Sequence, residues 1–148
     1  RTTLTRLGGS GLPDEAGRFD EIDALTAYVE GMRGPTLAGA AIDPARAALV
    51  ERGSALFRDS TQGCAACHLG ASGTDASIHD VGSSLGADRG ALFDTPSLRF
   101  IGGTAPYFHD GRYATLEALL AGSDGKMGHT LQLSRRDVAA MRAYLETL

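Results

Sequence analysis

Residues 63–70, Gly-Cys-Ala-Ala-Cys-His-Leu-Gly (GCAACHLG), contain both cysteines of this 148-residue chain and one of its four histidines. Two thiols separated by two residues and followed directly by an imidazole are compatible with three kinds of site. These are a redox-active dithiol, half of a zinc site, and the attachment point of a covalently bound haem. The residues around this motif distinguish among the three.

The rest of the sequence argues against zinc and against a redox dithiol. A structural zinc site needs about four ligands, usually two Cys-x-x-Cys pairs or one pair with two closely spaced histidines. The other histidines, His79, His109 and His129, are scattered and lack that spacing. A thioredoxin-like dithiol requires a βαβ context, and the sequence has no parallel-strand pattern.

The Cys-x-x-Cys-His motif is typical of covalent haem attachment. In this interpretation the thiols of Cys64 and Cys67 each add across one haem vinyl group, and His68 is the proximal iron ligand. Bacteria generally complete this attachment outside the cytoplasm, and the absence of further cysteines suits an oxidising compartment. We therefore expect one haem c and a location in the periplasm or cell envelope.

The composition is that of a folded domain that is poor in aromatic side chains. Hydrophobic residues make up 43% of the chain, aromatic residues 6%, and tryptophan is absent. A large apolar cofactor at the centre would compensate for that shortage. The net charge of −4, with both signs mixed, excludes a basic nucleic-acid surface. The sequence has no apolar run of 18 residues, so no transmembrane helix is predicted.

Apolar periodicity and capping residues predict an all-α fold, a cytochrome c-like helical domain wrapped around one covalent haem. No segment alternates convincingly as a strand. Residues 70–103 are rich in glycine, serine and aspartate and are expected to form a long loop along the haem edge. Gly53 is expected to let two helices cross closely at Tyr144. The predicted helices cover 19–32, Asp43-Pro44 through Phe57, 115–121, and Ser134 to Leu148.

An internal repeat relates the first and last of these helices. Residues 21–30 (EIDALTAYVE) align without gaps on 137–146 (DVAAMRAYLE) and share an Ala-Tyr-aliphatic-Glu run. We interpret residues 1–34 as the closing helix and linker of a preceding cytochrome-like domain. Residues 35–148 then form the c-type cytochrome domain.

The side chain opposite His68 decides what the haem can do, because methionine gives an electron carrier and an open position gives a peroxidase or oxygen site. Met127, in the glycine-containing loop SDGKMGHTLQLS and 59 residues after His68, is the predicted sixth ligand. Met32 and Met141 lie on apolar helix stripes and are expected in the core. His129 is the main rival ligand, and His79 and His109 are weaker candidates.

The segment DTPSLRFIGGTAPYFHDGRYATLEALL, at 94–120, resembles the signature that follows the haem motif in the bacterial di-haem cytochrome c peroxidase family, which includes the MauG-type enzymes. The resemblance is to the C-terminal haem domain and covers about residues 44–148. It implies that His68 and Met127 are the axial pair of a haem that passes electrons to a peroxidatic haem in another domain. MauG-type members have tyrosine in place of the methionine, so Met127 argues against that branch.

The resemblance implies further site residues. Backbone carbonyls of the TAPY loop help to hold a calcium ion in the family, which suggests Thr104 and Pro106 as calcium ligands here. Four side chains are candidate donors to the haem propionates, and the arginines suit a carboxylate by their fork geometry. These four are Arg99, Tyr107, His109 and Arg112.

We therefore predict a mono-haem domain for electron transfer that is the relaying half of a di-haem peroxidase-like protein, and the parent protein would be an oxidoreductase of the cytochrome c peroxidase type. Its partner is a redox protein or a second haem domain. One alternative is a haem peroxidase with an open or displaceable sixth position and His129 or His109 as acid and base. The other is a binding module without haem whose two cysteines form a disulfide.

Overall fold

The computed structural model describes residues 19–32, 43–88 and 90–148. The chain divides into two compact units, Arg1–Ala38 and Gly39–Leu148. Nothing in this division tests whether residues 1–34 close a preceding domain, and that interpretation stays a prediction. Residues 1–18 and 33–42, including the predicted linker, lie outside the described residues. None of the helices in the described ranges is long and apolar enough to cross a bilayer.

Helix α1, Phe19–Gly31, is the described part of the first unit. Its apolar side chains Leu25 and Val29 and the adjacent Met32 are all more than half exposed. The core position expected for Met32 is therefore wrong. The apolar stripe that identified the helix in the sequence lies at the surface.

Three helices organise the second unit, and each begins at the capping residue that the sequence predicts. Because the first N–H groups of a helix have no partner within it, a side-chain oxygen that accepts from them fixes where the helix starts. At the last helix, Ser134 and Asp137 form a reciprocal capping box. The helices are α2, Pro44–Arg58, capped by Asp43; α3, Leu116–Gly122, capped by Thr115; and α4, Arg135–Leu145, capped by Ser134.

Helices α2 and α4 cross with their backbones in contact at Gly53. A Cβ atom at this position would overlap the carbonyl oxygen of Ala140 and lie 2.7 Å from Cβ of Tyr144. Ala140 is fully buried. Only glycine allows so close an approach, which confirms the predicted crossing of these helices at Gly53 and Tyr144.

The core lies between these helices and the loops that follow the CxxCH motif. Met141 is 1% exposed, which confirms its predicted place in the core. Cys64 belongs to the same apolar cluster, so the motif is built into the core rather than attached to its surface. The other buried members are Phe57, Leu98, Tyr107, Leu116, Leu120 and Leu145.

Residues 70–103 are mostly irregular, as predicted, but they contain one short strand pair that the sequence analysis missed. Strand β1, Ile78–His79, pairs antiparallel with β2, Phe93–Asp94, with Ile78 opposite Asp94 and His79 opposite Phe93. Strands of two residues are too short for alternation to appear in the sequence. The fold is therefore mostly helical, with a minimal sheet.

Candidate functional site

The CxxCH motif follows α2 as a tight turn. Gly63 has a left-handed backbone (φ 76°) and precedes the 3-10 turn Cys64–Ala66. Both cysteines are free thiols; Cys64 is buried and Cys67 is half-buried. Burial raises the pKa of the Cys64 thiol, so this sulfur is protonated at neutral pH. The arrangement leaves both sulfur atoms available for thioether bonds.

The His68 ring is held in the tautomer that an iron ligand requires. Its Nδ1 atom lies 2.8 Å from the carbonyl oxygen of Gly73. A carbonyl oxygen can only accept a hydrogen bond, so Nδ1 carries the proton and the lone pair is on Nε2. Proximal histidines are oriented in this way by a second group behind the ring. The sequence analysis did not identify Gly73, since a backbone acceptor leaves no residue-type signal.

His68 and Met127 line the same cavity, which has a volume of about 640 Å³. A smaller cavity of about 110 Å³ is lined by Cys64 and also by His68 and Met127. The larger volume is typical of sites that enclose an organic ligand. The predicted site residues that line the larger cavity are Cys67, His68, Thr104, Pro106, Tyr107, His109 and Met127.

Two buried hydroxyl groups at these cavities have no hydrogen-bond partner. The Ser83 Oγ atom belongs to a residue of the larger cavity, and the Thr130 Oγ1 atom belongs to a residue of the smaller one. Buried polar atoms ordinarily have partners. A haem suits this site. It would use the two free thiols and the oriented imidazole, and its bulk would fill a cavity that no side chain fills.

The loop that carries Met127 packs directly on the motif. A Cβ atom at Gly128 would lie 3.3 Å from Sγ of Cys64 and overlap the Gln62 carbonyl oxygen. The same Gln62 carbonyl accepts a hydrogen bond from the His129 N–H at 2.9 Å. Met127 is therefore held next to the cysteine that anchors the haem in our interpretation.

The Asp124 carboxylate closes this loop from the other end. Its Oδ1 atom accepts from the N–H groups of Leu131 at 2.9 Å and Thr130 at 2.6 Å. These two bonds hold the pKa of Asp124 below its usual range, so the carboxylate is ionised at neutral pH. The position of Met127 thus depends on backbone hydrogen bonds at both ends of its loop.

The rival ligands are placed differently. His129 is exposed and does not line either of the cavities that Met127 lines. His109 lines the larger cavity, where it stacks on Phe93 with ring centres 3.9 Å apart and Nε2 lies 3.8 Å from Asp88. His79 also lines it. Of the two leading candidates, only Met127 reaches the cavity.

The four predicted propionate donors separate into two groups. Tyr107 and His109 line the larger cavity, and the Tyr107 hydroxyl donates to the Ile101 carbonyl at 3.1 Å. Arg112 lines none of the cavities described here and donates to the Ser83 carbonyl at 2.8 Å. Arg99 lines a separate cavity of about 560 Å³ that also includes His68. The propionate role of each residue stays a prediction.

Arg112 is further committed to an ion pair with Asp110. The hydrogen bond from its guanidinium is the main reason that the pKa of Asp110 is lowered to about 2. The same guanidinium lies 5.2 Å from the centre of the Phe108 ring. These hydrogen bonds use the Nε and Nη2 atoms of Arg112, so a propionate would have to approach the Nη1 side of the guanidinium.

The structure gives no support to calcium at the TAPY loop. The Thr104 hydroxyl donates to the Ile101 carbonyl of its own turn at 3.1 Å. Within the described residues, the group of three or more acidic, histidine or cysteine side chains close enough to share an ion is Cys67, Asp75 and His79. It includes no residue of the TAPY loop, and calcium prefers oxygen ligands.

Asp75 makes the loop after the motif sensitive to acid. A hydrogen bond with Thr95, and a second one with His79 at 2.8 Å, lower the pKa of Asp75 to about 2. An unfolded aspartate titrates near ~3.9, so the carboxylate contributes stability above about pH 4 that is lost as pH falls towards 2. Denaturant unfolding at several pH values should show Asp75→Asn less stable than the natural chain at pH 6, with the difference shrinking below pH 4. An equal difference at pH 2 and pH 6 would contradict this assignment.

Comparison with known proteins agrees with the geometry. The cytochrome c family model matches residues 50–148. Methylamine utilization protein MauG of Methylorubrum extorquens is 36% identical over 120 residues, which cover 66% of this chain and 34% of that protein. MauG of Methylophilus methylotrophus is 32% identical, with 66% of this chain and 36% of that protein covered. Cytochrome-c peroxidase IdrP2 of Pseudomonas sp. is 29% identical, with 66% and 39% covered.

These relatives confirm the resemblance to MauG and cytochrome c peroxidase proteins. The chain spans only about a third of the length of the curated relatives it matches. The distinction from the MauG branch by Met127 is not tested by these matches and stays a prediction. Among solved structures, hydrazine synthase of Kuenenia stuttgartiensis is similar with a TM-score of 0.59 and 26% identity, over 68% of this chain and 46% of that one.

Proposed function

The chain belongs to the cytochrome c family, and from that membership we propose that it is a mono-haem domain that transfers electrons and does not itself turn over peroxide. One observation carries the proposal. His68, with its lone pair on Nε2, and Met127 line one cavity, so this chain supplies a ligand for each axial position.

Each residue has a defined task in this proposal. Cys64 and Cys67 hold the haem through thioether bonds, and His68 Nε2 and the Met127 sulfur bind its iron. The bound haem supplies a one-electron iron couple, and a methionine ligand favours the reduced state. Tyr107, buried at the cavity, helps to exclude water. If His68 and Met127 both bound the iron, electron exchange would need no movement of either side chain.

The setting of the domain follows from its relatives. One curated relative is named a cytochrome-c peroxidase, and this chain covers only about a third of the length of each relative. Both facts support a role as the relaying half of a larger di-haem protein. The electron partner is then a redox protein or a second haem domain. Covalent haem attachment supports a periplasmic or cell-envelope location.

Covalent attachment is tested first by extraction. Acidified organic solvent should leave the haem on the natural chain, and intact mass should show one haem added. The Cys64→Ala/Cys67→Ala double variant should release its haem completely, because no thioether bond remains. A pigment that separates cleanly from the natural chain would refute the covalent assignment and favour a module without haem c.

A second candidate, a peroxidase within this chain, is favoured by His109, which lines the cavity near Asp88 and has the chemistry of an acid and base. Steady-state assays with peroxide and a reduced dye separate the two functions. We expect rapid reduction by small donors but little peroxide turnover, because peroxide must reach the iron to be cleaved. Sustained turnover with the methionine ligand still bound would assign catalysis to this chain.

A further inference from the structure

We propose that Ser97 and Arg99 are positioning residues that set the reduction potential by holding the carbonyl that accepts the hydrogen bond of His68. The proposal rests on the proposed function, since it requires His68 to bind a haem iron. It gives Arg99 a different role from the propionate donor predicted from the sequence.

The acceptor of the His68 hydrogen bond lies in a tight glycine turn. Residues 70–73 form this turn, in which the Gly73 N–H donates to the Gly70 carbonyl at 3.3 Å. Both glycines have positive φ, 61° and 65°. Other residues seldom adopt this conformation, and by itself a short glycine turn in solvent has many conformations open to it. The peptide group that carries the Gly73 carbonyl is held on one side by its Thr74 N–H, which donates to the Leu69 carbonyl at 3.1 Å. Contacts from outside the turn hold the residues on the other side.

Three consecutive residues provide that support. The Ser97 hydroxyl donates to the Ser72 carbonyl at 2.7 Å, and the Leu98 N–H donates to the same oxygen at 3.2 Å. The Arg99 Nε atom donates to the Ala71 carbonyl at 3.3 Å. The 97–99 segment thus contacts the two residues directly before Gly73.

Packing adds to these hydrogen bonds. A Cβ atom at Gly73 would lie 2.8 Å from Cβ of Leu98, so the turn is pressed against the 97–99 segment. Leu98 is buried. Because Ser97 and Arg99 are exposed, their side chains can be changed without opening the core.

The effect on the iron follows from ligand basicity. A strong bond from Nδ1–H to a carbonyl makes the imidazole a better electron donor, which stabilises oxidised iron. If the turn loosens, that hydrogen bond weakens and reduced iron becomes more stable relative to oxidised iron. Loss of a nearby positive charge acts in the opposite direction, because it stabilises the more positive oxidised iron. The two effects can therefore be separated by their sign.

Arg58 is a matched control for the charge of Arg99. Both guanidinium groups belong to residues that line the same cavity next to His68, and both side chains are exposed. Arg58 bonds to Ser54 in its own helix and lies 5.9 Å from the centre of the Tyr144 ring. Its side chain has no hydrogen bond to the 70–73 turn among the described contacts.

The test is an equilibrium redox titration of the haem-loaded chain and its variants. Ser97→Ala removes the hydroxyl that donates to the Ser72 carbonyl and accepts from the Arg99 N–H at 3.2 Å, without a change of charge. It should shift the equilibrium towards the reduced form by roughly threefold or more. Ser97→Thr, which keeps the hydroxyl, should restore the natural value. Arg58→Gln should shift the equilibrium towards the oxidised form. Arg99→Gln should have a higher reduction potential than Arg58→Gln, because it also weakens the His68 hydrogen bond.

A second readout reports on the hydrogen bond itself. The exchange of the His68 Nδ1 proton with solvent, measured by NMR, should accelerate in Ser97→Ala and Arg99→Gln but not in Arg58→Gln. Unchanged potential and exchange in Ser97→Ala, or equal potentials in Arg99→Gln and Arg58→Gln, would overturn the proposal while the proposed function stands. A natural chain that takes up no haem would overturn both.

Discussion

Met127→Ala is expected to convert a low-spin haem domain into one that is high-spin or ligated by His129. The alanine side chain cannot reach the iron, so the sixth position is left to water or to a neighbouring histidine. Met127 lies in the cavity that His68 lines, and its loop is pinned to the motif through Gly128. Optical spectra of the oxidised and reduced forms report the change directly, because spin state follows the axial ligands.

Met141→Ala is the matched control for this experiment. Met141 is 1% exposed and belongs to the core cluster. Its truncation should lower the free energy of unfolding by about 2–5 kcal/mol and leave the haem spectrum low-spin. If Met127→Ala keeps the thioether-to-iron signature, Met127 is not the ligand. A loss of that signature in Met141→Ala, in a chain that is still folded, would transfer the assignment.

Gly53→Ala is expected to be among the most damaging single changes in the second unit. The added methyl group would overlap the Ala140 carbonyl oxygen and press on Cβ of Tyr144. Backbone atoms cannot rotate away as a flexible side chain can, so α2 and α4 must separate. We expect the free energy of unfolding to fall by about 3 kcal/mol, at the upper end for overpacked sites. Denaturant unfolding of the haem-loaded protein measures this loss.

Gly31→Ala provides the comparison. It is a helical glycine of α1 with no atom within 4 Å of the position of a Cβ. The same substitution there should be neutral or stabilising by up to ~1 kcal/mol, since alanine favours a helix. If both variants had similar stability, the crossing of α2 and α4 would not depend on glycine.

Local signals predicted a large part of this fold. Asp43, Thr115 and Ser134 were recognised as helix starts because a cap is a residue type at a fixed place beside an apolar stripe. The CxxCH motif predicts covalent haem attachment for the same reason, and that prediction awaits the extraction experiment. Gly53 was predicted to allow a close helix crossing from the sequence alone. The caps and the motif depend on residues close together in the sequence, and the Gly53 crossing was predicted from the small size of glycine.

The parts that could not be predicted depend on partners that residue type does not reveal. The Gly73 acceptor is a backbone carbonyl, which every residue has. The pairing of His79 with Phe93 is set by how the loop closes and not by alternation. Arg112 suits a propionate by residue type, yet the fold directs its Nε and Nη2 atoms towards Asp110 and the Ser83 carbonyl. Residue type shows what a side chain can bind, and only the fold shows what is within reach.

The crossing at Gly53 also has a consequence for how the protein folds. Gly53 and Ala140 are 87 positions apart, and both His68 and Met127 lie inside the loop of chain that their contact closes. The entropy lost on closing a loop grows only with the logarithm of its length. Once α2 and α4 have docked, most of the entropy needed to bring His68 and Met127 together has already been lost. Binding of a haem between His68 and Met127 and docking of α2 on α4 should therefore be cooperative. A haem that bridges the two side chains should stabilise the contact between the helices.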